Sequence, residues 1–512
     1  MGRGWTLLDT GVVACVVAYS CLFARFTADD ASIVARVAEH VVRFHEPTFN
    51  LGDRVNVLTS PLEGLLLAAL FALTGHTLSV YKALSAVSVA AALVIAARRT
   101  RSTSEAFVFL ALTAASPFAM LWAAGGLETP ILLCAVTAVT LACPAARAGS
   151  TRGAAALCAA ATIAFWARYD AALFVAWPLG ALLVGHRRST RHLVLLALTL
   201  AACGAAIALP DLAFGHAWPT PFYVKTPRLH SALFVGKNAL YEASFLLLSG
   251  TGPLLFSAWR DRRAPRRSGP ITETALVAGL AATGAYGLIA ATTHMMFSYR
   301  LFVPYLPTLA LLLLERSPPR LPWRVGSIIL VWQGALAVYV ETRSINPTVL
   351  NLLDIDLEGE GATVRFEVHP DRSRTFEYAR EGALAYDDFL DALAAATEDA
   401  QRHWAKAGSA RGRPARVLTF AAGVVGRAWP DAYVFDSLSS FRVACVTPLA
   451  PSADYVLSFT RAADGAPATG AELVGARDLA FDGEAMRLLL SYLPSPAPNP
   501  LPRDLFGSCA GR

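Results

Sequence analysis

Lysine is almost missing from this chain of 512 residues: only four of its 44 basic residues are lysine. Charge of any kind is scarce. Charged residues make up 16% of the sequence against 55% hydrophobic, and the mean hydropathy of +0.46 excludes an ordinary soluble domain. The chain also lacks a P-loop, HExxH, GxSxG and CxxC, so nucleotide hydrolysis, zinc proteolysis and thiol redox chemistry have no motif to stand on. No histidines fall at metal-ligand spacing. The central turns of the apolar runs carry almost no charge, and Asp211 and Glu242 read as lying near run ends. Ion-coupled transporters place ionisable groups near the midplane, so this pattern speaks against transport.

What is present is a series of apolar runs close to the roughly 20 residues that cross a bilayer. They fall at about 7–26, 79–97, 105–122, 130–146, 153–167, 171–185, 193–213, 239–259, 272–293, 301–315 and 325–341. The expectation is an all-α polytopic membrane protein of about eleven spans. With the N-terminus inside, the short inner loops collect Arg98, Arg99 and Arg101; Arg147 and Arg152; Arg187, Arg188 and Arg191; and the later arginines at 260–267 and 316–324. That is the positive-inside pattern, and it accounts for the net charge of +6 without a nucleic-acid partner. The registry requires "PLEGLLLAALFALTG" (61–75) to be a re-entrant or interfacial helix, within an outer loop 27–78.

The composition turns polar after residue 344, which divides the chain into a membrane domain, 1–344, and an extracytoplasmic α/β domain, 345–512. "RVLTFAAGVVGRAW" and "DAYVFDSL" read as strand, helix and strand, "DYVLSFTR" as a further strand, and 385–405 as helix. "LPSPAPNPLPRD" is a Pro-rich tail. Six cysteines lie in the spans as small apolar residues, while Cys445 and Cys509 lie in the outer domain, where an oxidising compartment permits pairing.

Several polar residues gather on the outer side. Asp29 and Asp30 follow the first span; Thr27-x-x-Asp30 fits a capping box. The helix after them has Ile33, Val34, Val37, Ala38, Val41 and Val42 on one face and Arg36, Glu39, His40 and Arg43 on the other, the pattern of an interfacial helix. Glu128 follows two glycines, Arg168 and Asp170 share a short turn, and Lys225 and Arg300 each lie near an aromatic, Tyr223 and Tyr299. Each has a plain alternative: a helix cap for Glu128, mutual pairing for Arg168 and Asp170, headgroup snorkelling for Lys225 and Arg300.

Taken in order, the acidic pair, "FNLGDRVNVLTSPL", "GGLETP", "ARYDA", "PTPFYVKT" and "YRLFVPYLP" resemble the GT-C class of integral-membrane glycosyltransferases. The nearest branch is the bacterial one that includes terminal β-arabinofuranosyltransferases. The likeness runs through about 25–310, with a weaker echo in "AAGVVGRAWPDAYVFDSL". It implies an enzyme of a bacterial plasma membrane. Such an enzyme moves a sugar, arabinofuranose in that branch, from a polyprenyl-phosphate donor to an extracytoplasmic glycan, lipid or protein. Asp29 or Asp30 would be the catalytic base and Glu128 the acid of the second outer loop. Thr59, Ser60, Arg168, Asp170, Tyr223, Lys225 and Arg300 would bind substrate. The residues name no cofactor, and a divalent metal stays open. A lipid-linked-sugar flippase and a non-catalytic envelope assembly protein are the rival readings.

Overall fold

The computed structural model describes residues 7–53, 55–225, 232–252, 254–255, 270–290, 297–317, 323–345, 347, 382–407, 412–419, 421–436, 453–461, 472–481 and 484–492. Cys445, Cys509 and the Pro-rich tail lie outside them.

Helices occupy every one of the eleven apolar runs. They are α1 (Leu7–Leu22), α4 (Leu78–Ala97), the pair α5 (Thr103–Leu112) and α6 (Pro117–Ala124), α7 (Thr129–Arg147), α8 (Thr151–Ala167), α9 (Ala172–His186), α10 (Thr190–Phe214), α12 (Ala232–Leu248), α13 (Pro270–Ala290), α14 (Leu306–Arg316) and α15 (Trp323–Thr342). Two short pieces, α2 (Asp29–Phe44) and α3 (Pro61–Thr74), separate α1 from α4, and α11 (Thr220–Lys225) precedes α12. Among the described residues six helical segments are long and apolar enough to cross a membrane. The bent pair α5–α6, broken by 60°, makes a seventh. Ser116 and Pro117 mark that break: proline fits a first helical turn and not a helix interior. Leu84, Val87, Ile95, Leu198, Leu200 and Ile328 point outward, as helices bathed in lipid require.

One expectation about charge is corrected. Because α12 starts at Ala232, Glu242 lies inside the helix rather than near its end. It faces a cavity of about 280 Å³ shared with Phe245, Thr283, Tyr305 and Arg316. An ionisable group therefore does lie within one of the apolar helices.

The two ends of the bundle differ. At one end Arg98 pairs with Asp9 at 3.1 Å, and Arg101 pairs with Glu105 at 2.6 Å. At the other, Lys82 near the start of α4 donates to the Phe26 carbonyl at 2.6 Å and to Thr27 Oγ1 at 2.7 Å. Helices α1 and α4 are therefore antiparallel, and α2 and α3 both lie at the Phe26 end.

The C-terminal region docks at that same end. Its helix α16 (Ala383–Ala407) and helix α17 (Ala422–Ala428) accompany a five-stranded sheet of order β2-β1-β3-β5-β4. The strands are β1 (Arg416–Thr419), β2 (Tyr433–Asp436), β3 (Tyr455–Arg461), β4 (Glu472–Phe481) and β5 (Glu484–Tyr492). β1 runs parallel to β2 and β3, and the β3-β5-β4 edge is antiparallel. β4 and β5 are additions to the sequence reading.

Helix α2 is the joint between the two regions. Its apolar residues Val34, Val37 and Ala38 are buried, but so are Arg36 and His40 from the face expected to meet water. The Arg36 guanidinium donates to the carbonyls of Phe49 (2.9 Å), Gly426 (2.5 Å), Pro430 (3.1 Å) and Ala432 (2.7 Å). It thereby occupies the end of α17, where a helix presents orphan carbonyls and negative dipole. Burial pulls the Arg36 pKa down to about 10. Asn50 extends the joint: its amide exchanges two 3.0 Å hydrogen bonds with the Val434 backbone on β2.

Candidate functional site

The capping box at the start of α2 does not form. Its N-cap is Ala28, with no side-chain cap bond, and Thr27 Oγ1 instead donates to Arg25 O at 3.2 Å. The two aspartates diverge from there. Asp29 accepts backbone hydrogen bonds from Gly423 (3.2 Å) and Val424 (2.8 Å), so its carboxylate sits on the positive N-terminus of α17. Its own N–H donates to the Tyr386 hydroxyl at 3.0 Å. Glycine at 423 is what permits this, since a Cβ there would lie 2.0 Å from the Asp29 carbonyl oxygen. Asp30 takes no part in that contact and turns instead toward Arg300. Its side chain is 47% exposed, with one oxygen 3.4 Å from Arg300 Nη1.

Glu128 reaches the same arginine from the N-cap position of α7, where a carboxylate suits the helix dipole. Gly126 before it has φ +81°, a conformation that favours glycine. The Gly125 carbonyl accepts from Ala28 N at 3.0 Å, drawing this turn against the start of α2. Glu128 then receives Arg300 Nη2 at 2.9 and 2.8 Å and Arg168 Nη1 at 3.2 Å. Arg168 clasps Asp170 with two bonds, 2.9 and 2.6 Å. Burial pushes the Glu128 carboxyl up, but the Arg300 and Arg168 charges outweigh it and the net shift is downward. Burial likewise opposes the charge on Arg168, and Asp170 and Glu128 more than restore it.

The turn carrying Arg300 is strained. Ser298 and Tyr299 both adopt left-handed φ, +49° and +58°, which non-glycine residues avoid. The surroundings hold it there. Trp122 Nε1 donates to Ser298 O at 3.1 Å, Tyr299 N donates to the Tyr241 hydroxyl at 2.6 Å, and the Tyr299 hydroxyl bonds the Pro347 carbonyl. Arg300 itself stacks 5.2 Å from the Trp122 ring.

Glu63 completes the group and was not singled out from the sequence. It lies in the first turn of α3, whose N-cap Ser60 accepts from Glu63 N at 3.3 Å. Its side chain is 1% exposed, and Oε1 has no hydrogen-bond partner. Burial first, then the neighbouring Glu128, pushes its carboxyl well above the usual range, against the pull of Arg300. A single acid in an otherwise wholly apolar helix was the available signal.

The structure thus gathers Asp30, Glu128, Arg168, Asp170 and Arg300 into one ion network, with Ser60 capping the helix beside it. Thr59 is exposed next to Ser60. Tyr223 and Lys225 lie on α11, whose Thr220 N donates to Asn56 O at 2.7 Å; their side chains are outside the described residues. Among the described residues no group of three or more His, Cys, Asp or Glu side chains is arranged to hold a metal ion. The acids gathered here face guanidiniums or are buried, a set suited to ion pairing rather than to a divalent cation.

No family model matches the chain, and no curated protein sequence matches it. Its fold is similar to that of ArnT from Cupriavidus metallidurans in the apo state, with a TM-score of 0.55 and 13% identity, over 95% of this chain and 98% of that one. ArnT bound to undecaprenyl phosphate aligns over the same shares at TM-score 0.52 and 13% identity. The architecture is that of a GT-C polytopic membrane protein with a small C-terminal α/β region.

Proposed function

We propose that this protein is an inverting glycosyltransferase that moves a sugar from a polyprenyl-phosphate donor to an acceptor hydroxyl, with Asp30 as the base. The observation that carries the reading is the half-exposed Asp30 carboxylate on an otherwise buried ion network, within a fold like that of a protein seen with undecaprenyl phosphate.

The chemistry asks for little. The acceptor oxygen attacks C1 of the sugar while Asp30 takes its proton. The C1–O bond to phosphate breaks, and its electron pair leaves with the phosphate, so no acid is needed for departure. One displacement inverts the anomeric centre. Asp30 is the carboxylate an acceptor can reach, since Glu63 and Glu128 are buried and Asp170 is clasped by Arg168.

Arg300 and Arg168 orient this base rather than clamp the carrier, because Glu128 and Asp170 already occupy them. Even before Glu63 is counted, Asp30, Glu128 and Asp170 outnumber the two guanidiniums, and a donor phosphate needs another cation. Lys225, on a helix tied through Asn56 to the segment leading into α3, is the residue we assign to it, with Tyr223, Thr59 and Ser60 lining the approach. The C-terminal region and residues 27–78 lie on the outer face of a bacterial plasma membrane in this reading. The sugar of the resembling branch, arabinofuranose, is the first donor to try.

The test is transfer by the purified protein from a synthetic polyprenyl-phosphate arabinofuranose in liposomes, with mass spectrometry of co-purified lipids to identify other donor sugars. Transfer with inversion, lost in Asp30→Asn, is expected. Full turnover in Asp30→Asn would overturn the assignment of the base. A protein that carries no polyprenyl-phosphate sugar and transfers none would overturn the whole reading.

A further inference from the structure

Two buried polar atoms in the network have no hydrogen-bond partner among the described residues: Oε1 of Glu63 and Nε of Arg300. One is an acceptor and the other a donor, and the two side chains lie within electrostatic reach of each other. Such a pair is normally joined when both groups are charged. Here Arg300 spends its Nη atoms on Glu128 and Asp30 instead, and its contact with Asp30, at 3.4 Å, is the weakest of these.

We propose that Glu63 is a positioning residue of this site: as a neutral acid it leaves Arg300 on Asp30, and on ionising it draws Arg300 away and uncouples the base. The inference rests on the transfer reading above. Its geometry is a competition for one guanidinium. Glu128 from α7 holds Arg300 with two short bonds, Asp30 from α2 holds it with one longer one, and Glu63 from α3 is buried close enough for the Arg300 charge to act on it. The other titratable groups facing Glu63 are Tyr81 from α4 and, through Glu128, Arg168; α3 carries no other charge. Among the described residues Arg300 is the cation that acts on Glu63. The side chain is wholly buried, so water cannot screen the change. Asp30, in contrast, is open to solvent and can be left without its arginine at little cost.

The sign follows directly. The neutral form prevails at low pH and the ionised form at high pH, so turnover should fall on the alkaline side as Glu63 loses its proton. Above that point the fall is about tenfold per pH unit for a single group. Glu63→Gln keeps the shape and neutrality of the acid and should hold its turnover through the same range. Two measurements decide it. The first is the kcat–pH profile of the parent and Glu63→Gln with the synthetic donor, with Glu63→Met as the neutral reference if Gln does not fold. The second is infrared spectroscopy of the purified protein, where the parent minus Glu63→Gln spectrum should show the C=O stretch of a protonated carboxylic acid at neutral pH, fading as pH rises. An unchanged alkaline limb in Glu63→Gln, or no protonated-acid band, overturns the proposal. The infrared result needs no substrate, so absence of any transfer would strike the glycosyltransferase reading and leave the state of Glu63 decided separately.

Discussion

Asp29 and Asp30 are neighbours in sequence with different occupations, and substitution separates them. Asp30→Asn retains shape but cannot accept a proton, so turnover should fall by about 10²–10⁴ while the protein inserts and folds. Asp29→Asn leaves a single acceptor oxygen for the two N–H groups of Gly423 and Val424 and removes the charge from the α17 N-terminus. Its main effect should be a lower melting temperature, on the order of 1 kcal/mol of capping energy, with some activity surviving. Equal loss of turnover in both variants, without loss of stability in Asp29→Asn, would contradict this division. Arg300→Lys tests the same network from its centre. An ammonium cannot hold both Glu128 oxygens and Asp30 at once, so a loss on the order of tenfold or more in kcat is expected. Activity within about threefold of the parent would mean that the guanidinium geometry is not used.

At the scale of elements, α2 grips both ends of α17, with Asp29 at its N-terminus and Arg36 at its C-terminus. Gly423 and Gly426 make the grip close enough: a Cβ at 426 would fall 2.5 Å from Arg36 Nη1. Gly423→Ala should therefore loosen the joint, read as faster amide exchange in 421–436, while an exposed-site control such as Arg427→Gln leaves it unchanged. A second device in this joint titrates. Asp387, in the first turns of α16, is raised to about 7, chiefly by burial, with Arg25 and Lys82 opposing and Glu341 and Asp391 adding to the rise. A carboxyl raised in the folded state binds its proton more tightly there than when unfolded. Its favourable contribution is complete below about pH 4 and is lost as pH rises through about 7. The melting temperature of the parent should fall over that window relative to Asp387→Asn, and parallel curves would refute the assignment. The membrane architecture was legible because hydropathy is local: each apolar run became a helix. So were β1, α17 and β2, whose alternation and glycines are local too. The roles of Asp29 and Asp30 were not, because the partner that takes Asp29 lies 394 positions away. Glu63 escaped notice because an acid in a first turn reads as a dipole match until its burial is known.

For the whole molecule, the decisive geometry is that α1 leaves toward Phe26 and α4 returns from there, so that 27–78 begins and ends at the same end of the bundle. The Asp9–Arg98 pair marks one end of this antiparallel couple and the Lys82–Phe26 contact the other. The ion network and the C-terminal region share the second end; Arg25 reaches Asp388 and Asp391 of α16 at 2.8 and 3.0 Å. Arginine in the loops at the first end is expected to keep that end inside, because positive charge resists export. Side and site are thus tied together: whichever face receives the C-terminal region also receives Asp30. Single cysteines placed at His76 and Arg99, both exposed, in a background with the native cysteines replaced, test this in intact cells. An impermeant maleimide should label the cysteine at 76 directly and the one at 99 only after permeabilisation. Labelling of 99 from outside would put the network on the cytoplasmic face, where the carrier's phosphate would have to be met from the inner leaflet. The transfer reaction would then have to be assigned to the other side of the membrane, even with every contact around Arg300 unchanged.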